Sequence, residues 1–212
     1  MRVLLVEPNY KNKYPPMGLM KISTYHKRLG DEVQFVKGFD HSVDKKVWDR
    51  IYITTLFTFD FDVDVKTINH YKLLVNNIDD LYVGGIMASL MPEKIVEATG
   101  IDRFHILTGL FTDTSVVGDS NDINVDELPL DYDILEQIDY KYPAGDNYFA
   151  YTTRGCPNHC SFCAVPILEP HFHVTNSIVD QIRTIDEKYG TKQHLLLLDN
   201  NILNTADLKS LV

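Results

Sequence analysis

The order of apolar runs along this chain predicts an α/β protein built on a doubly wound parallel sheet. Three observations carry the prediction. Short β-prone runs alternate with stretches at helical spacing from residue 2 to residue 107. The first run, Arg2-Val-Leu-Leu-Val6, is apolar almost throughout, as in a strand covered on both faces. A further strand–loop–helix–strand pattern begins near residue 147, after an abrupt change of composition.

Taken in order, the strand at 2–6 is followed by a loop from Glu7 to Pro16, rich in Asn, Tyr, Lys and Pro. Leu19, Ile22, His26 and Leu29 then recur at helical spacing, and Gly30 supplies a stop. Glu32 to Lys37 alternates as a second strand, completing a β-loop-α-β unit of the kind that builds parallel sheets. Arg50 to Leu56 reads as a third strand, Val63 to Leu74 as a helix, and Asp79 to Val83 as a fourth strand ending at Gly84-Gly85. Pro92 opens a helix to Ala98, and Arg103 to Leu107 reads as a fifth strand before Gly109. Five strands with interleaved helices describe a Rossmann-like domain, whose ligands sit at the carboxyl ends of the strands. That puts the loops at 7–16, 54–62, 84–91 and 108–114 on the binding edge.

Asp60-Phe-Asp-Val-Asp64 has the opening of a calcium loop, but Val65 stands where that loop needs Gly and Tyr71 where it needs Glu. The expectation here is capping and a favourable charge at a helix start. From Asp119 to Tyr140 there are eight acidic residues and no Lys or Arg. This reads as a solvated surface crossover with a short helix around Ile134 to Ile138. The expected division is therefore a domain at 1–118, an acidic linker at 119–145 and a second domain at 146–212. In the last, Asn147 to Thr153 is a strand, Ile178, Ile182, Ile185 and Tyr189 share a helical face ended by Gly190, and His194 to Leu198 is a buried strand.

The bulk composition is that of an ordinary globular protein, at 44% hydrophobic and 24% charged over 212 residues. The net charge of −10 disfavours nucleic acid as a main partner and suits a small-molecule, peptide or lipid substrate. The N-terminal apolar run is too short for a signal peptide, and no stretch reaches transmembrane length, so a cytoplasmic protein with no membrane partner is expected.

All three cysteines stand in one loop, Cys156, Cys160 and Cys163, spaced C-x3-C-x2-C. An odd number of thiols in one loop argues against a disulfide framework. Three thiolates fit three corners of a 4Fe-4S cluster and leave one iron free to chelate a small molecule. Two plainer readings stand beside it: zinc held by the cysteines with His159, His171 or His173, and three buried, inert thiols. His171 and His173 are given no role otherwise.

Arg154-Gly155-Cys156-Pro157, the three-cysteine spacing and Phe162 before the last cysteine resemble the cluster loop of the radical S-adenosylmethionine (SAM) enzymes. That resemblance implies a cluster at Cys156, Cys160 and Cys163 that cleaves SAM to a 5′-deoxyadenosyl radical, with Phe162 near the adenine. It further implies a partial barrel beginning at the strand before the loop, SAM contacts at Asp199 and Asn200, and an electron donor of flavodoxin or ferredoxin type. Read as a turn, Asp199-Asn200-Asn201 needs no ligand.

A second resemblance covers most of residues 1–155. Tyr14-Pro15-Pro16-Met17-Gly18-Leu19, Gly30-Asp31-Glu32-Val33, and Val83-Gly84-Gly85-Ile86-Met87-Ala88-Ser89 followed by Pro92-Glu93 look like the cobalamin-binding-type domain found ahead of many radical SAM cores. It implies cobalamin as a cofactor, with Gly84 and Gly85 admitting its nucleotide tail and Ser89 bonding it. The loop Glu7 to Asn12 lacks the Asp-x-His-x-x-Gly of histidine-ligated members, so histidine ligation from it is ruled out and cobalamin itself stays open.

Together these resemblances imply a radical SAM enzyme, with methyl transfer to an unactivated carbon if cobalamin binds. Only about two strand–helix units of the partial barrel fit after Cys163, so the chain is expected to be the N-terminal part of a larger enzyme and inactive alone. A tRNA methylthiotransferase would carry further cysteines before residue 155, where there are none. A non-catalytic ligand-binding module with a zinc or vestigial cysteine site is the remaining alternative.

Overall fold

A computed structural model describes residues 1–204; the last residues of the expected second domain, 205–212, lie outside the described residues. The chain divides into two compact units, Met1–Tyr142 and Pro143–Val212.

The first unit is an α/β structure on a four-stranded, wholly parallel sheet. Its strands are β1 (Arg2–Glu7), β2 (Glu32–Lys37), β3 (Arg50–Thr55) and β4 (Leu81–Gly85), in the order β2-β1-β3-β4. Register follows the pleat: Leu4 lies beside Gln34 and Ile51, and Ile53 beside Val83. α1 (Met17–Arg28) crosses from β1 to β2 and ends through Leu29 into Gly30, whose φ of 83° closes the turn. α2 (Phe61–Tyr71), α3 (Ile86–Leu90) and α4 (Pro92–Thr99) follow, the last opening on Pro92 and ending at left-handed Gly100. Leu4, Val6, Ile51, Ile53, Leu81 and Val83 form the middle of the core, packed against Ile68 and Tyr71 of α2, Met87 of α3 and Ile95 of α4. The continuous apolar strands are thus buried, as their sequence required.

Four expectations need correction. The fifth strand is absent: Arg103–His105 coils as a 3-10 turn, and only the pair Ile106–Val83 bridges, with Leu107 N donating to Val83 O at 2.8 Å. The buried His105 ring meets Leu81 O through Nδ1 at 2.8 Å, so a side chain takes a partner that a strand backbone would have used. Secondly, the acidic stretch is no solvated linker. Residues 119–142 belong to the first unit, and Val125, Leu128, Leu130, Tyr132 and Ile134 are buried there. Its carboxylates find bases elsewhere in the chain: Asp126 pairs with Lys21 at 2.8 Å, Asp131 with Lys27 at 2.6 Å and Asp119 with Arg50 at 2.8 Å. Gln137 Oε1 accepts from Phe35 N at 2.7 Å, satisfying the outer backbone of β2.

Thirdly, the acidic helix start is only partly as expected: Asp62 and Asp64 stand in the first turn of α2, but no side chain caps it. Asp60 stands at the N-cap of α2 without a side-chain capping bond, while Asp64 is fully buried against Tyr10. Finally, the strand before Asp199 is not buried. In the second unit β8 (Leu195–Leu197) pairs in parallel with β5 (Tyr148–Ala150), yet Leu195 and Leu197 remain 40% and 38% exposed. Alternate residues of a strand share a face, so these two leucines lie on one partly open face of the pair. Between the two strands come β6 (Thr153–Arg154), α5 (Val165–Leu168), β7 (His173–Val174) and α6 (Ile178–Tyr189), with β6 and β7 antiparallel.

Candidate functional site

The cysteine loop is the long excursion between β6 and β7, and its base is clamped. Glu169 Oε2 accepts from Gly155 N at 2.7 Å and from Asn200 Nδ2 at 2.9 Å, while its Oε1 accepts from Arg154 Nη1 at 3.2 Å. The Arg154 guanidinium also lies 3.5 Å over the Tyr151 ring. Gly155 is required here: its φ is 72°, and an added Cβ would stand 2.6 Å from His171 O and 2.9 Å from Glu169 O. One carboxylate and one glycine therefore hold together the two ends of the loop that carries every thiol.

Within it Cys156 and Cys163 are half-buried and Cys160 is exposed. Cys163 N donates to Cys160 O at 3.0 Å, closing the turn that brings the last two cysteines to one side. Asn201 Nδ2 donates to Cys156 Sγ at 3.6 Å. Phe162 projects into solvent, 91% exposed. Three soft, accessible sulfurs on a fixed loop suit an iron–sulfur cluster by their donor chemistry. Tetrahedral zinc suits the geometry less well. No three Cys or His ligand atoms of this loop lie within 4.8 Å of one another, and His159, His171 and His173 are exposed. Nor are the thiols fully buried.

Asp199 and the exposed Asn200 both bond residues at the base of the loop. The Asp199 carboxylate accepts from Thr152 N at 3.0 Å and Oγ1 at 2.5 Å, and from Thr153 N at 2.6 Å and Oγ1 at 2.8 Å. Burial pushes its pKa up, but the bonds from Thr152 and Thr153 outweigh burial and hold the carboxyl below its ordinary value. Asp199 thus fixes the strand that delivers the loop, and Asn200 bonds the Glu169 clamp. Glu169, Thr152 and Thr153 were not singled out from sequence; a lone Glu after the motif carries no local signal.

In the first unit, Gly84 and Gly85 end β4 where expected. Gly85 has a φ of 102°, and a Cβ on it would fall 2.1 Å from Thr55 O, so close approach of β3 explains this glycine. Gly84 has no such clash; a Cβ would touch only Leu107. Ser89 Oγ donates to Gly85 O at 2.8 Å and accepts from Gly109 N at 2.9 Å, tying the glycine turn to the next loop. Thr55 Oγ1 donates to Gly84 O and accepts from Ala88 N, each at 2.9 Å. These residues build the turn themselves and are brought together at the carboxyl edge of β3 and β4.

Strand order reverses between β1 and β3, so the crevice of the sheet opens at their carboxyl ends. Near the β1 end, Glu7 is buried with Lys37 Nζ at 2.6 Å, Asn12 Nδ2 at 2.8 Å and the Tyr142 hydroxyl. At the β3 end, Phe57 and Phe59 stack 4.8 Å apart and 13° from parallel, with Phe59 80% exposed. A cleft of about 870 Å³ runs along the 108–112 loop, between Phe104, Leu107, Phe111 and Val116.

In fold, the chain resembles a radical SAM methyltransferase. Two structures of TsrM from Kitasatospora setae, one with cobalamin and a 4Fe-4S cluster, the other with tryptophan substrate and a SAM analogue, match 96% of the chain with TM-scores of 0.64 and 0.62 at 16% and 17% identity. Two uncharacterized methyltransferases are similar in sequence. One from Synechocystis is 25% identical over 93% of this chain, and one from Pyrococcus horikoshii 31% over 38%. The chain spans about half the length of the TsrM chains, and 38% and 18% of these two relatives. No protein-family profile matches it. No helix among the described residues is long and apolar enough to cross a membrane.

Proposed function

We propose that this chain provides the cobalamin-type domain and the cluster-bearing start of a radical SAM methyltransferase. The observation that carries the reading is the clamped loop holding Cys156, Cys160 and Cys163, on a chain whose fold resembles a cobalamin- and cluster-bearing methyltransferase. On this reading the first unit is Rossmann-like and the second is the opening of a partial barrel, beginning at β5.

The three cysteines would hold a 4Fe-4S cluster, which supplies an electron and an open iron for SAM when bound. Asn201 holds Cys156 by a hydrogen bond to its sulfur, and Glu169 with Gly155 keeps the loop ends together. Asp199 acts by positioning Thr152 and Thr153, with its oxygens committed to them. SAM contact from the second strand is assigned to Asn200, and Phe162 offers an exposed ring for the adenine. For cobalamin, the glycine turn at Gly84-Gly85 would take the nucleotide tail, and the Phe57–Phe59 stack would line the same carboxyl edge. Ser89 then acts by shaping the turn. The whole enzyme's substrate, of small-molecule, peptide or lipid class, and its flavodoxin- or ferredoxin-type electron donor belong to the same proposal.

The test is anaerobic reconstitution of the full chain with iron and sulfide, followed by metal and sulfide analysis. Iron and sulfide in equal amounts, lost in Cys160→Ala, is the expected result. Zinc without sulfide would overturn it in favour of a binding module.

A further inference from the structure

Two histidines and an aspartate outside the site described above converge on one spot of the first unit. His41 and Asp44 lie in the segment between β2 and β3, and His70 stands in the last turn of α2. Asp44 Oδ2 lies 2.7 Å from His41 Nδ1, and Asp44 Oδ1 lies 3.0 Å from His70 Nε2. All three ligand atoms fall within 4.8 Å of one another, the one such grouping of three His, Cys, Asp or Glu among the described residues.

We propose that His41, Asp44 and His70 form a binding site for a divalent transition ion of the zinc class. Two imidazoles with one carboxylate are a borderline donor set, suited to zinc, nickel or cobalt and poorly suited to magnesium or calcium, which take oxygen shells. The spacing fits as well. With metal–ligand bonds of about 2 Å, neighbouring donors in a four- or six-coordinate shell stand about 3 Å apart. The two His–Asp separations are already of that size. With three donors from the protein, the remaining positions would be filled by water.

Two of the three donors are fixed by a buried neighbour. Val43, next to Asp44, is fully buried and its carbonyl accepts from the buried Trp48 Nε1 at 3.4 Å. Tyr71, next to His70, is fully buried, and its hydroxyl donates to Gly38 O at 2.7 Å and accepts from Asp40 N at 3.1 Å. The His70 ring is further held edge-on against Phe39, 5.1 Å away. His41 is the exposed member, its side chain 79% accessible, so an ion can enter from solvent and be captured by that ring last. Bound metal would link the β2–β3 connection to the end of α2 by two segments far apart in sequence. Two ordinary His–carboxylate hydrogen bonds are the competing account, and they predict no saturable metal binding.

The test is zinc titration of the full chain with its cysteines alkylated, so that thiolates contribute nothing, by calorimetry and with cobalt(II) absorption as a second probe. One zinc per chain is expected, with a cobalt spectrum of nitrogen and oxygen ligation. His41→Ala, Asp44→Asn and His70→Ala should each weaken binding by more than the roughly 10–100-fold that loss of an outer partner costs. If His70→Ala fails to fold by circular dichroism, His41→Ala decides, because that side chain is exposed. Unchanged zinc affinity in His41→Ala, or no saturable binding in the parent chain, overturns the proposal. Neither result touches the cysteine-loop reading, which shares no residue with this site.

Discussion

At the scale of single residues, Asp64 is the group whose surroundings oppose its charge most clearly. It is fully buried, Tyr10 donates to Oδ1, and Oδ2 has no hydrogen-bond partner among the described residues. Burial raises its pKa to about 7, more than the Tyr10 bond lowers it. The native state therefore keeps a proton that the unfolded chain, with an ordinary carboxyl near 3.8, has lost. Stability from this group falls as pH rises from 3.8 toward 7, by at most about 1.4 kcal/mol per pH unit, and is level outside that window. Asp64→Asn should remove that decline. Urea unfolding of both proteins at several pH values checks it: the parent loses stability relative to the variant as pH rises, and a constant difference would refute the assignment. Asp64 was legible in the sequence only as part of an acidic run at a helix start. Nothing local says that the run's last carboxyl turns inward to a tyrosine 54 positions earlier.

At the scale of elements, the strands and helices set by apolar periodicity were legible and those set by side-chain partners were not. β2 and β3 run where alternation and β-prone residues put them, and α1 ends at the predicted glycine. The run at 103–107 failed because its His105 bonds β4 through the ring, so coiling costs the sheet no partner. The acidic stretch failed for a different reason. Its composition is what a solvated linker needs, but Lys21, Lys27 and Arg50, which neutralise it, lie about 70 to 105 positions away. Asp131 carries that packing: it is fully buried and accepts from Ser23 Oγ and Lys27 Nζ, each at 2.6 Å. Asp131→Ala should cost about 2 kcal/mol, less than a fully buried pair because Lys27 is partly exposed and can regain water. Chemical denaturation measures it; a loss below about 0.5 kcal/mol would return the stretch to the surface-linker class.

The same scale governs the cysteine loop. The gathering of all three thiols in one loop was legible in the sequence, but the clamp beneath it was not. Gly155→Ala would drive a methyl into two backbone carbonyls, and Glu169→Ala would release Gly155, Arg154 and Asn200 together. Both variants should retain less iron after reconstitution and desalting than the parent, with Glu169→Gln intermediate because it keeps an acceptor without the charge. Equal iron in all four proteins would mean that the cysteines define the site without their clamp.

For the molecule as a whole, the two units differ in how much of their own core they carry. The first holds a sheet closed over by Leu4, Ile51, Ile53, Ile68, Tyr71 and Met87, all within 1% of complete burial. The second has two-stranded pairings, and of the described residues of α6 only Ile185 is buried. A two-stranded pair is marginal in water without a covering element, so the second unit should be the less stable. Cooperative unfolding of the first unit should then be indifferent to the cysteines. In the triple variant Cys156→Ala, Cys160→Ala and Cys163→Ala, the main urea transition is expected at the parent's midpoint, while iron uptake is abolished. Amide exchange locates the difference, with β1 and β3 protected to the full unfolding free energy in both proteins and β5 to β8 exchanging sooner. Loss of the β1 and β3 protection in the variant would show that the cysteine loop contributes to the fold of the whole chain. The fold of the first unit would then depend on the cysteine loop, whereas the burial pattern predicts an α/β unit that builds its core from its own residues.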